Sequence, residues 1–296
     1  MSSRMPSVST MADVRIATRR SALALAQANE VAAKLAAAHP GLEIDFVEVV
    51  TSGDLDRVSP VATLTEVGAF VRAVQQAVID GTADVAVHSC KDLPVEGPPG
   101  LTAFYPVRAL PWDVLCGHSL ASLPAKARVG TGSPRRTAQL RALRPDVVVD
   151  EIRGNVDTRL DKVASGDYDA VVLAEAGLSR LGRGGEIGHR FGLREMVPAP
   201  AQAALAVEAR VDDPTLGLLA DIDHRPTRLA VETERALLVL TQAGCRSALG
   251  AHATVGADTS VRVAGFVEDD EGPRYAEAEG PDPAGAASNL QDALGL

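Results

Sequence analysis

Lys91 and Asp92 stand side by side in Asp84-Val-Ala-Val-His-Ser-Cys-Lys-Asp-Leu-Pro94. The apolar run Val85 to Val87 has the character of a buried central strand. It delivers His88 to Asp92 onto a turn that Pro94 closes, since proline continues neither helix nor ladder. In α/β domains ligands sit outside the carboxyl ends of the strands, so a cation and a carboxylate placed there face a cleft. An isolated Lys-Asp dipeptide is more often a solvated surface pair. The arginines elsewhere in the chain decide between the two.

Gly130-Thr-Gly-Ser-Pro-Arg-Arg136 follows a short strand. Ser133 suits an N-cap and Pro134 the first helical position, so exposed amides would meet an anion there beside Arg135 and Arg136. A dinucleotide loop would need a third glycine where Arg135 stands, although Asp150 lies at about the distance of a ribose-binding acid. Two solvated arginines on a helix is the plain alternative. Arg153-Gly-Asn-Val-Asp-Thr-Arg159 repeats the arrangement after the next strand, so two successive βα turns aim arginines at one crevice. Arg19, ending the first strand, and Lys91 would face it from the opposite wall. Such a pocket suits a ligand with many carboxylates or phosphates. Asp92 is the lone anion in it, expected to stay ionised among cations and to stabilise a developing positive charge. Cys245 follows Gly244 in a turn where a thiol can be exposed. Cys116 reads as structural, Cys90 as flanking the site, and His88 as a hydrogen-bonded strand residue.

The 296 residues suggest two or three domains. All but four of the 29 basic residues are arginine, the side chain suited to bidentate carboxylate recognition. A net charge of −10 argues against a general nucleic-acid or anionic-membrane binder. The three cysteines have no CxxC spacing, which fits a reducing compartment and gives no zinc motif. No apolar core of a secretory signal and no run near the ~20 apolar residues of a membrane span is visible, so a cytoplasmic location is expected.

These residues need parallel strands to carry them. Strands are expected at Val14–Thr18, Glu43–Val50, Val85–Val87 and Leu101–Val107, with helices from Ser21 to about Ala38 and Gly68 to Asp80. Thr51 to Pro60 reads as a mobile surface loop. A second βα series runs from Asp113–Gly117 through strands at Arg128–Thr131, Val147–Val149 and Ala170–Leu173, with helices from about Ser133 and Asn155. Gly182 to Gly188 is a glycine-rich loop without a P-loop ending. Ala204 to Ala209 is a strand that can rejoin the first series. A helix from about Thr227 to Leu240, three short antiparallel strands and a helix from Pro283 to Leu294 complete the chain. The boundaries expected are 1–107 plus about 203–222, 112–198 and 226–296.

The chain resembles the porphobilinogen deaminase (hydroxymethylbilane synthase) family. The likeness rests on Arg15-Ile-Ala-Thr-Arg-Arg-Ser-Ala-Leu-Ala24, Ala86 to Pro94, Val129 to Arg136, Ile152 to Leu160, Ala176 to Gly182, Pro198-Ala-Pro-Ala-Gln202, Thr233-Glu-Arg-Ala236 and Gly244-Cys245. It implies two domains resembling periplasmic binding proteins and a small α/β domain with a three-stranded antiparallel sheet. It implies a monomer that joins four porphobilinogens head to tail, with loss of ammonia, onto a dipyrromethane linked by a thioether to Cys245. Carried over, Ser133, Arg135, Arg136, Lys91 and Arg159 would hold the cofactor's acid groups, and Arg19, Ser21, Arg153 and Arg180 the substrate or chain end. Asp92 would bond the pyrrole N–H groups and stabilise the azafulvene cation. Departures from the family pattern occur at Thr65-Glu-Val-Gly-Ala-Phe70, Trp112, Ala203 and Arg246-Ser-Ala248. They bear on loop contacts, hinge and turnover. Two alternatives stay open: a weakened paralogue, and a non-catalytic module for a polycarboxylate.

Overall fold

A computed structural model of the chain describes residues 13–49, 69–242 and 248–296. The loop expected at 51–60, the first four residues of the departure at 65–70 and the Gly244-Cys245 turn lie outside these described residues.

The first stretch comprises β1 (Val14–Arg19), α1 (Ala22–Ala38), β2 (Ile44–Val49), α2 (Ala69–Ile79), β3 (Val85–Ser89) and β4 (Leu101–Phe104). The second comprises β5 (Asp113–Cys116), β6 (Arg128–Gly130), α3 (Pro134–Leu143), β7 (Val148–Asp150), α4 (Val156–Ala164), β8 (Ala170–Ala174), α5 (Glu175–Arg180) and β9 (Ile187–Arg190). The chain then returns as β10 (Leu205–Arg210) and α6 (Leu216–Ala220). It ends with α7 (Arg225–Leu240), β11 (Ala248–Val255), β12 (Val261–Asp269), β13 (Gly272–Gly280) and α8 (Pro283–Leu294).

The fold is mixed α/β, with two five-stranded sheets and a three-stranded antiparallel one. The first sheet runs β2-β1-β3-β10-β4 and the second β7-β6-β8-β5-β9. In each, three parallel strands carry the βα turns, while the remaining strands pair antiparallel. Val85, Ala86 and Val87 are all buried, as a strand covered on both faces requires. One face packs Ile16, Val85 and Val207 under Val31 and Leu35 of α1; the other packs Ala17 and Ala86 under Val74 and Val78 of α2. The second sheet is likewise covered by Leu140 of α3 on one face and Leu160 of α4 on the other.

Two crossings join the sheets, residues 105–112 going out and 191–204 coming back. Around their ends Cys90, Leu93, Tyr105, Ala201, Ala204 and Val231 form one apolar cluster. Three short elements depart from the sequence expectation. The helix α5 follows β8 without a turn, β9 lies where a glycine-rich loop is expected, and α6 precedes the expected link to α7.

Candidate active site

The parallel strands β1 and β3 end side by side, with Ile16 opposite Val85 and Ala17 opposite Ala86. Arg19 closes β1. Ser21 then caps α1, its Oγ accepting from Ala24 N at 3.2 Å. β3 ends at Ser89, whose hydroxyl accepts from Gln27 Nε2 of α1 at 2.6 Å. Cys90, Lys91 and Asp92 form a single 3₁₀ turn, held by Cys90 N donating to the Ala204 carbonyl at 3.0 Å. Burial pushes the Cys90 thiol up to about 12, so it packs and does not act as a nucleophile. Lys91 is half-buried and Asp92 exposed, so the turn presents both at the carboxyl edge of the sheet.

The second wall is built from the turns after β6 and β7. Ser133 caps α3 by accepting from Arg136 N at 3.4 Å. Arg135 and Arg136 are buried, not solvated, and both bind Asp113 at the start of β5. Arg135 Nη1 donates to Asp113 Oδ2 at 2.7 Å and to the Val197 carbonyl at 2.6 Å. Arg136 donates from Nε and Nη2 to Asp113 Oδ1 at 2.9 and 2.7 Å, and from Nη1 to the Val172 carbonyl. Burial alone would raise the Asp113 carboxyl, but the two guanidiniums outweigh it and hold it well below its usual range. Neither guanidinium spends all its N–H groups on these contacts.

After β7, Gly154 adopts φ +112°, and a Cβ there would lie 2.7 Å from Thr158 Cγ2, so the turn needs glycine. Its carbonyl accepts from Arg159 Nε at 2.8 Å, and Asn155 caps α4 through Thr158 N. Arg153 is exposed and pairs with its neighbour Glu151. Asp150 is engaged by Arg128 Nε at 2.6 Å, which does not favour a ribose-binding role.

Electrostatics ties the walls together. Burial lowers the Lys91 pKa, Arg136 and Arg135 lower it further, and Asp92 and Asp113 partly offset them. Burial and then Arg136 lower Arg159. Burial lowers Arg135 too, with Arg136 adding to the effect against the pull of Asp113. Arg136 thus repels each of Lys91, Arg135 and Arg159, Arg135 also repels Lys91, and Asp92 and Asp113 are the acids acting on Lys91. A group of that kind fits a ligand bearing several carboxylates, which would relieve the repulsion.

Arg180 stands elsewhere in the arrangement. From the end of α5 its Nε donates to Glu30 Oε2 of α1 at 2.8 Å, and its Nη2 to the Ala203 carbonyl at 3.1 Å, tying the two sheets together. Sequence reasoning missed Asp113 and Gln202 as parts of the site. An aspartate opening the apolar run Asp113-Val-Leu-Cys116 was the available signal, since a buried charge demands partners.

Residues 14–217 match the family model described as porphobilinogen deaminase, dipyromethane cofactor binding domain. The chain is 43% identical over 290 residues to a porphobilinogen deaminase of Brevibacillus brevis, covering 95% of this chain and 93% of the relative. It is 43% identical over 264 residues to one of Nitratidesulfovibrio vulgaris, covering 88% and 83%. A solved Bordetella pertussis BvgS VFT2 domain aligns over 71% of this chain and 85% of its own length. At 16% identity and a TM-score of 0.40, that likeness carries no weight. The motifs from Arg19 to Arg180 fall within the matched span, and the relatives extend the match over nearly the whole length: the chain belongs to the porphobilinogen deaminase family.

Proposed function

We infer that the chain is a working hydroxymethylbilane synthase, a transferase that joins four porphobilinogens head to tail, loses one ammonia for each, and releases the linear product with water. The observation that carries this reading is the cationic group of Lys91, Arg135 and Arg159, each acted on by Arg136, beside an exposed Asp92. Each porphobilinogen ring brings two carboxylates, so the substrate and product supply the charge this group lacks.

When bound, the dipyrromethane supplies the pyrrole carbon from which chain growth starts. Its anchor is Cys245, in the connection between α7 and β11. Lys91, Ser133, Arg135, Arg136 and Arg159 hold its acid side chains through N–H and O–H donors. Arg19, Ser21 and Arg153 hold the incoming porphobilinogen. Arg180 joins them on exchanging Glu30 for a substrate carboxylate. Asp92 touches the reacting ring, accepting from pyrrole N–H and stabilising the positive charge that develops on porphobilinogen as ammonia departs. The working units are 1–107 with about 203–222, 112–198, and 226–296, acting as a cytoplasmic monomer. Among the described residues no helix is long and apolar enough to cross a membrane.

Intact mass of the purified protein tests the reading directly. The expected mass exceeds that of the sequence by a two-pyrrole adduct, and porphobilinogen releases ammonia. Cys245→Ser should remove the adduct. An unmodified wild-type mass with no ammonia released would refute the assignment, and a normal adduct on Cys245→Ser would move the anchor elsewhere.

A further inference from the structure

Gln202 lies fully buried in the returning crossing. Its Nε2 donates to the Pro111 carbonyl at 2.7 Å and to Asp113 Oδ1 at 3.1 Å. Both partners only accept, which fixes the end of the amide that faces them. The consequence is that Gln202 Oε1 is buried with no hydrogen-bond partner among the described residues. A buried acceptor without a donor is destabilising, and an apolar side chain of similar volume would avoid it. The fold keeps the amide nonetheless, and what the amide gains is a grip on the second wall. Asp113 Oδ1 is the oxygen that takes Nε and Nη2 of Arg136, while its twin takes Arg135.

The grip extends to the first wall. One residue after Gln202, the Ala203 carbonyl accepts from Arg180; one further, the Ala204 carbonyl accepts from Cys90 N, the first residue of the Lys91–Asp92 turn. Ala201 and Ala203 flank Gln202 in left-handed conformations, φ +60° and +71°, and Arg108 Nε holds the Gln202 carbonyl at 2.7 Å. Gln202 therefore sits on a short, heavily bonded segment, between the carboxylate that orients two guanidiniums and the turn that carries the reacting acid.

We propose that Gln202 is a positioning residue, setting the distance and orientation between the Arg135–Arg136 wall and the Asp92 turn. It touches no reacting atom and acts through Asp113 and Ala204. The proposal rests on the deaminase reading above.

Two variants of the full chain test it beside the wild type. Gln202→Met removes the grip and the orphaned acceptor together. It should melt within a few degrees of wild type, carry the two-pyrrole mass and keep its KM for porphobilinogen, while kcat falls roughly 10- to 100-fold, the scale set by a misplaced group. Gln202→Glu can donate to Asp113 only when protonated, and its anion would repel that oxygen. Its rate, relative to wild type, should climb as the pH falls. Wild-type kcat in Gln202→Met, a rate loss matched by loss of folded protein, or a wild-type pH profile in Gln202→Glu would overturn the role. Normal turnover in the variants counts against Gln202 alone, whereas a wild type without adduct or ammonia release overturns both readings.

Discussion

Two aspartates of the candidate site have opposite surroundings. Asp113 is fully buried, saturated by Arg135, Arg136 and Gln202, and so fixed in place. Asp92 is exposed on a 3₁₀ turn whose backbone is anchored at Cys90. An anchored backbone with an uncommitted carboxylate suits a group that must meet a succession of pyrrole rings. Asp92→Asn should keep the melting temperature, since an exposed polar substitution stays within about 0.5 kcal/mol. It should lower kcat about 100-fold or more, because the charge opposing the developing cation is gone. Steady-state rates and thermal melts on the same preparation check this, and unchanged turnover would remove Asp92 from the chemistry. At this scale the sequence was informative about types and positions, less so about commitments. Ser21, Ser133 and Asn155 cap as their spacing demands, but no local pattern reveals that Arg135 and Arg136 share an acid 22 and 23 residues upstream.

Among the elements, the returning crossing is the most constrained. Ala201 and Ala203 both sit at positive φ, a conformation that costs an alanine roughly 1–2 kcal/mol. The resemblance to the family puts glycine at position 203, the residue that adopts positive φ without that cost. Ala203→Gly should raise stability by about 0.5–1 kcal/mol, after the extra freedom glycine brings to the unfolded chain is subtracted. A modest rise in melting temperature is the expected readout, and a fall would show that the Ala203 methyl contributes packing that outweighs the strain. The elements missed by sequence reasoning share a cause. Among the described residues no side chain caps α5, β9 reads Ile187-Gly-His-Arg190 and pairs only with β5, and α6 spans five residues. Each is specified by what it packs against and not by its own periodicity. The long, regular elements were legible because their apolar spacing is local information.

Across the whole molecule, Glu234 of α7 draws the three sheets together. Its carboxylate accepts from Nη1 and Nη2 of Arg108 in the outgoing crossing at 2.6 and 3.0 Å, from Ala201 N in the returning one, and from Ala253 N of β11. Burial opposes its ionisation, yet Arg108 and His252 prevail and bring it down to about 2 from an ordinary 4.5. The unfolded chain therefore takes up this proton first as the medium is acidified. Stability from the group is complete above about pH 4.5 and drains away as the pH falls towards 2. Glu234→Gln should flatten that part of the acid-denaturation curve. At neutral pH it should also cost about 3–5 kcal/mol, because Arg108 is left buried without its counter-charge. Denaturant midpoints across the window test both effects, and an unaltered slope would exclude Glu234 as their source. The parallel strands of both five-stranded sheets were readable from the alternation of strand and helix. The convergence of both crossings on one residue of α7 was not, since its partners lie 126 and 33 residues away.

The place of β10 also sets the order of events at birth. It fills the gap between β3 and β4, so the first sheet cannot close until the ribosome has passed residue 210. The roughly hundred residues after β4 take about 5–20 seconds to synthesise, and through that interval the nascent segment up to β4 carries unzipped strand edges. The inserted sheet can fold while its host waits. The facing edges of β3 and β4 thus stay bare until β10 has emerged, which is before α7 is made.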